Sequence, residues 1–309
     1  MPQISALRGR ITTPFGPDST SAEVLEGLDL AGKRIVVTGA ESSMGAETAT
    51  ALARAGAAVT VAVPHLGEGH VIAARIRENT GNGDVFLKRL DLADPASIAQ
   101  FTASWSGPLD VLVNHAEVRG VPELTRTERG HELHFAANHL GHFALAVGLH
   151  PALAAAGDAR IVSVSSSEHL RSPVHFDDLH YAFRHYDPVE AYAQSKTAAV
   201  LFVVEAARRW ASDGVTANAL TDGAATSVLL AASPWLDRVS GRCFEDCNEA
   251  VIVDRRAWGV RGVAPYALDP GNAWRLWELS YDLLGELPEG EPAGCVTRRR
   301  ANASRSSDD

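Results

Sequence analysis

RIVVTGAESSMG, residues 34–45, decides the fold. Arg34-Ile-Val-Val37 is a short apolar run rich in β-branched residues, and Thr38-Gly39 breaks it. Residues 45–55 (GAETATALARA) then take helical spacing and close at Gly56. A strand passes through a glycine turn straight into a helix. Glycine lets the backbone turn tightly and approach a phosphate, and a helix N-terminus offers free N–H groups to an anion. Thr38, Gly39, Glu41, Ser42, Ser43, Met44 and Gly45 are therefore candidate dinucleotide contacts. A plain strand-to-helix turn is the other reading of the segment.

Outward from this stretch the alternation continues. Strands are predicted at 59–63, at 85–87 ending near Asp91, at 109–113, at 160–164 and at 215–220. Helices are predicted at 68–79, from Asp94-Pro95, over most of 123–150, and at 188–211. Alternating strands and helices imply an α/β fold, a doubly wound parallel sheet of Rossmann type in a single domain. Residues 1–28 read as an N-terminal extension and 29–286 as the domain. Residues 223–240 read as a mobile loop with a short helix. Residues 272–284 read as a final amphipathic helix with Trp274, Leu276, Trp277 and Leu283 on its apolar face. From 287 to 309 the chain is rich in Pro, Gly, Arg, Ser and Asp and reads as a disordered tail.

Composition narrows the partners. The net charge is -10 over 309 residues, so the mean field repels nucleic acid and anionic membrane. Arg298, Arg299 and Arg300 form the one obvious basic run and read as a solvated end. No apolar run has bilayer length and the first residues lack a signal-peptide core, so a cytoplasmic location is expected. Cys243, Cys247 and Cys295 are too few for a disulfide framework, and Cys243 and Cys247 have no second pair at zinc spacing.

Tyr192-Ala-Gln-Ser-Lys196 places a phenol and an ammonium at i and i+4 on one helix face. Chance supplies only about 0.05 such pairs in a chain with so few tyrosines and lysines. A phenol is a poor base at neutral pH, and a neighbouring cation lowers its pKa. Transfer of hydride at an alcohol or carbonyl needs such a tuned proton donor. Ser165-Ser-Ser167 follows the fifth strand, and Asn138 lies on the helix after the fourth.

Together these residues resemble the short-chain dehydrogenases/reductases, in the retinol-dehydrogenase-like branch with its bacterial (actinobacterial-type) relatives. The resemblance covers about 28–285. It is carried by the phosphate loop, Asp91-Leu92, Leu112-Val-Asn-His-Ala116, Phe135-Ala-Ala-Asn-His-Leu-Gly-His-Phe143, Arg160-Ile-Val-Ser-Val-Ser-Ser166, Phe176-Asp-Asp-Leu179, Tyr192 to Lys196, and Ser240 to Cys247. It implies Tyr192 as general acid/base, with Lys196 lowering its pKa and binding the nicotinamide ribose. It implies that Ser166 binds the substrate oxygen and that Asn138 holds a relay water. Asp91, Leu92, Asn114, Ala116, Gly223 and Thr226 would join the phosphate loop around NAD or NADP. Glu41 and the absence of arginine near Pro64 lean to NAD. A small-molecule substrate and a homo-oligomer are further expectations.

Several positions depart from the family pattern. Ser43 stands for a glycine of the phosphate loop, His115 and Glu117 for Asn and Gly in the turn after the fourth strand, and Asp222 for a proline. Pro64 stands where this branch often has arginine. Glu41, Glu117 and Asp222 add negative charge near an anionic cofactor. Three hypotheses stay open on sequence alone. They are a redox enzyme acting on a carbonyl or alcohol, a non-redox isomerase, dehydratase or cyclase using Tyr192 and Ser166, and an idle binding module. Leu170, Phe176, Tyr181, Phe183, Tyr186, Leu229, Leu230 and Trp235 read either as an apolar substrate wall or as lid packing. His131, His134, His139 and His142 read as structural histidines.

Overall fold

The computed structural model describes residues 9–254 and 261–285. The tail from 287, with Cys295 and the arginine run, lies outside them. In chain order the elements are α1 (Ser21–Val24), β1 (Arg34–Thr38), α2 (Ser43–Arg54), β2 (Ala58–Val63), α3 (Leu66–Thr80), β3 (Val85–Arg89), α4 (Pro95–Ala103), β4 (Val111–Asn114), α5 (His142–Ala156), β5 (Ala159–Val164), α6 (Pro188–Arg209), β6 (Val215–Leu220), α7 (Ala224–Ala232), β7 (Cys243–Glu245), β8 (Asn248–Glu249) and α8 (Pro270–Leu284). A π-helical turn, Phe135–Gly141, leads directly into α5.

One eight-stranded sheet runs β3-β2-β1-β4-β5-β6-β7-β8. Its pairs are parallel from β3 across to β7, and β8 alone is antiparallel. The order reverses between β1 and β4, which opens a crevice at the carboxyl ends of those strands. The strands are buried on both faces, as a parallel sheet covered by helices requires. One face packs apolar residues of α2 and α7 against β1 and β2, and the other packs α4, α5, α6 and α8 against β4 to β6.

Three sequence readings need correction. Residues 123–132 are not helical, because Gly130 turns the chain at φ 82 and Arg126 bridges to Glu132. Residues 223–240 are not a mobile loop. α7 is a buried helix whose Leu229 and Leu230 sit in the core, so neither lines a substrate pocket. Trp274 leaves the apolar face of α8 and stands exposed, while Leu276 and Trp277 are buried. The N-terminal extension is also tied down. Ile11 donates its N–H to Glu249 and accepts one from the Glu249 backbone, and Thr13 pairs with Asn248.

Because Leu229 is fully buried, Leu229→Ala is expected to lower unfolding free energy by about 2–5 kcal/mol. Urea titration checks this, and a loss below about 1 kcal/mol would move the side chain out of the core.

Candidate active site

The crevice at the β1/β4 switch holds a cleft of about 310 Å³. Thr38, Gly39, Glu41 and Ser42 form one wall, Ala62, Pro64 and Leu90 to Ala93 the far end, and His115 to Val118 the other wall. At Gly39, φ is 76, and an added Cβ would lie 2.5 Å from the Ala116 backbone. Only glycine lets the two walls approach this closely. Ser42 caps α2 by accepting the Gly45 N–H at 3.0 Å. Ser43 and Met44 open that helix rather than lining the cleft, and Ser43 points outward. A dinucleotide fits this cradle on two grounds. The walls are brought together by a glycine contact, and the His115 ring lines the cleft with neither nitrogen partnered.

Behind the cleft Asn114 is buried, with both side-chain polar atoms unpartnered. Asp91 accepts the Ala93 N–H at 3.0 Å, so it caps the turn before α4 while its segment lines the cleft. Thr226 departs from its expected place. It is buried at the start of α7, accepts the Cys247 N–H at 3.1 Å, and does not reach the cleft. Gly223 precedes α7 at φ 89 and is likewise absent from the cleft wall.

α6 is started by Asp187, which accepts the N–H groups of Val189 and Glu190, with Pro188 at its first position. The helix carries Tyr192 and Lys196 to the end of β5, where Lys196 Nζ donates to the Val164 carbonyl at 3.1 Å. Between the two lies a residue whose role the sequence did not reveal. Glu117 Oε2 accepts the Tyr192 phenol proton at 2.7 Å and meets Lys196 Nζ at 2.6 Å. Arg119 is 3.6 Å from the same carboxylate and lies over the Tyr192 ring.

This geometry reverses one expectation. The Tyr192 pKa is raised rather than lowered. Burial, then the Glu117 charge and hydrogen bond, push the phenol well above its ordinary value. Desolvation alone would raise the Glu117 carboxyl, but Lys196, Tyr192 and Arg119 outweigh it and hold the group below the usual range. At Lys196 burial is the larger effect and lowers the pKa despite Glu117. We take the buried pair as ionised because the ammonium has two oxygen partners and the carboxylate has both Lys196 and Tyr192 as donors.

Ser166 adjoins the Tyr192 phenol, whose ionised form it favours, and accepts the Glu168 N–H. Its neighbour Ser165 instead donates to the Lys196 carbonyl. Asn138 is committed elsewhere than the resemblance implies. Its amide N–H groups go to the Val118 carbonyl and Ser195 Oγ, both at 2.9 Å, and its oxygen accepts the Val118 N–H at 2.6 Å. One amide hydrogen therefore clamps the Glu117 loop and the other ties Asn138 to α6 through Ser195. The structure brings Tyr192, Lys196, Ser166 and Asn138 around one loop, and adds Glu117 and Arg119.

The comparisons decide the family. The profile of the short chain dehydrogenases matches residues 33–234. The chain belongs to the short-chain dehydrogenase/reductase family. A Streptomyces antibioticus protein named "Probable oxidoreductase" is 46% identical over 296 residues, covering 83% of this chain and 99% of that protein. Human retinol dehydrogenase 12 is 35% identical over 291 residues, covering 84% and 88%. A crystal structure of an uncharacterised protein from Mycobacterium paratuberculosis superposes with TM-score 0.71 at 33% identity, covering 87% and 99%. As a short-chain dehydrogenase/reductase of the retinol-dehydrogenase-like branch, the protein is an NAD(P)-dependent oxidoreductase acting on a small molecule. No helix among the described residues is long and apolar enough to cross a membrane.

Three buried histidines of this short-chain dehydrogenase/reductase are fixed by partners within the fold. His142 joins Thr38 Oγ1 at 2.9 Å and the Asn138 carbonyl at 3.1 Å, His139 joins Ser280 at 2.7 Å, and His134 joins Glu132 at 2.8 Å. Burial pushes His139 and His142 down to about 3 and His115 down to about 4. Unfolding returns each ring to its ordinary value near 6.5, so the unfolded chain binds more protons below that pH. Stability is thus expected to fall as pH drops from about 6.5 towards 4, by roughly 2 kcal/mol per ring at pH 5. Urea unfolding at pH 7 and pH 5 measures this. Equal stability at both would show that the rings protonate in place.

Proposed function

We propose that the protein interconverts an aldehyde or ketone and its alcohol, on a fairly apolar small molecule, with NAD as the preferred cofactor and Tyr192 as general acid/base. The observation that carries this reading is Glu117, which stands in the wall of the dinucleotide cleft and touches both Tyr192 and Lys196. The acid–base pair therefore lies at the end of that cleft. Gly39, Glu41, Ser42, Asp91, Leu92 and Ala116 would hold the cofactor, with Thr38 and Asn114 behind them.

The bound nicotinamide supplies or accepts the hydride. Ser166 orients the substrate oxygen toward the Tyr192 phenol. Tyr192 gives that oxygen its proton in reduction and takes it back in oxidation. Lys196 offsets the Glu117 charge beside the phenol, and Asn138 holds the loop that bears Glu117.

NAD is favoured by the cleft itself. Among the described residues that line it there is no arginine or lysine, while Pro64 and Glu41 are among those that do. A 2′-phosphate calls for a cation there. A Beutenbergia cavernae protein designated an NAD(P)-dependent gluconate 5-dehydrogenase, solved with NADP at low occupancy, matches at 27% identity and TM-score 0.55 over 70% of this chain and 95% of that one. That supports a nicotinamide cofactor without transferring its choice. An apolar substrate is supported by the rings beside the phenol, where His134 adjoins Tyr192 and Tyr186 adjoins His134. Phe183 and Trp235, by contrast, are strongly exposed. The same proposal places the protein in the cytoplasm, and the family resemblance suggests a homo-oligomer.

Calorimetric titration is expected to show NADH binding at least about tenfold tighter than NADPH. Binding of neither at millimolar concentration would sink the redox reading. With NADH, decanal and all-trans-retinal are expected to exceed propanal in kcat/KM by about tenfold or more, because added buried methylenes favour the longer chain. Tyr192→Phe should lose about 100- to 10,000-fold in turnover with an unchanged circular dichroism spectrum.

A further inference from the structure

We propose that Glu117 is a catalytic residue of this site, the group through which solvent protons reach Tyr192. It rests on the reading of Tyr192 as the acid that protonates the substrate oxygen.

The geometry assigns this role by position and access. Tyr192 and Lys196 are buried, and the side chain of Lys196 is only 2% exposed. Glu117 touches both through Oε2 while its side chain remains 24% exposed. It is therefore the one member of the trio with substantial access to water. Asn138, the group expected to hold a relay water, has both amide hydrogens bonded to Val118 and Ser195. The other charged or titratable groups facing the trio are Arg119, beside Glu117 and over the Tyr192 ring, His115 from the same loop, His134 edge-on to the Tyr192 ring and bonded to Glu132, and the buried His142 on the Lys196 side. His115 is buried and held neutral, which makes it a poor proton carrier near pH 7.

The charge balance drives the transfer. With phenol, carboxylate and ammonium, the trio is neutral. In reduction, the carbonyl carbon takes a hydride from the reduced nicotinamide, and its oxygen takes the proton of Tyr192. The phenol O–H bond breaks and a substrate O–H bond forms. Two anions then face each other across a 2.7 Å contact, with one ammonium on the carboxylate side. Like charges at that distance raise the affinity for a proton, and the pair titrates as a unit. One proton enters from water at Glu117, passes along the existing hydrogen bond, and restores the phenol as Glu117 returns to carboxylate. Each turnover takes up one solvent proton, and the oxidative direction releases it by the same path.

Two measurements test this, one without cofactor or substrate. In Glu117→Gln the phenol loses its anionic neighbour. Tyr192 is then expected to ionise at least one pH unit lower, seen as phenolate absorbance near 295 nm that Glu117→Gln/Tyr192→Phe lacks. An unchanged Tyr192 titration would overturn the proposal even if no carbonyl is ever turned over. If wild type turns over none of the three carbonyls, the oxidoreductase reading of substrate fails instead, and the ligand-free titration still decides whether the two groups share a proton.

The second measurement uses the carbonyl of that panel with the highest kcat/KM. Glu117→Gln and Glu117→Ala are expected to lose about 10- to 100-fold in kcat with KM little changed, and to show a larger solvent isotope effect. Glu117→Asp should keep most of the activity. Sodium formate should restore Glu117→Ala several-fold and leave Glu117→Gln unmoved. Thermal melts of each variant identify any that fail to fold, and Glu117→Asp then carries the comparison. Full kcat in folded Glu117→Gln, or no response of folded Glu117→Ala to formate, would overturn the role.

Discussion

The backbone from His115 to Val118 is held at both ends by buried side chains, and the site is organised around that restraint. At one end Thr38 Oγ1 accepts the N–H groups of His115 and Ala116 at 2.9 and 3.0 Å. With both acceptor positions used, its own proton goes to His142 Nε2, which fixes the His142 proton on Nδ1, facing the Asn138 carbonyl. At the other end Asn138 receives and donates to the Val118 backbone. β1, β4, the π-helical turn and α5 are thereby tied at one corner. Glu117 lies between the two clamps, and its side chain is left to meet α6.

Charge at this corner is arranged locally. The chain carries a net -10, yet the carboxylate closest to the acid–base pair is matched by Lys196 and flanked by Arg119. Removing either member of such a buried pair leaves an uncompensated charge, a larger loss than the pair's own net contribution. This explains why a glutamate can replace glycine in a tight turn beside an anion-binding cleft. Its charge is offset by Lys196 and Arg119 rather than added whole to the cleft's field.

Periodicity made most of the sheet readable, because parallel strands buried on both faces are near-continuous apolar runs. The first six strands were read within two residues at each end. β7 and β8 were missed because three- and two-residue strands carry no period. The short helix expected within 223–240 is α7, but Gly223, Ser233 and Pro234 punctuate the segment and hide that its apolar interior packs into the core. Gly130 was the available signal against a helix at 123–132. At the site, the i, i+4 pair was legible since it is local to one helix. The Glu117–Tyr192 contact spans 75 residues and depends on how the loop after β4 meets α6, which no spacing encodes. Only the departure from the family's glycine marked that position as unusual.

The π-helical turn supplies the last constraint. Phe135–Gly141 is wider per turn than an α-helix, so its side chains fan out at angles an α-helix does not give. Asn138 can then face the Glu117 loop and Ser195 while His139 turns to Ser280 on α8 and His142 to Thr38 on β1. A wider turn costs backbone packing, and its seven residues are all buried among side chains that each find a partner or an aromatic neighbour. Neutral imidazoles suit that place, since they offer hydrogen bonds without the desolvation cost of a charge. His131, His134, His139 and His142 thus turn to four different partners, His180, Glu132, Ser280 and Thr38, with His139 following Asn138 in the chain and His142 meeting its carbonyl.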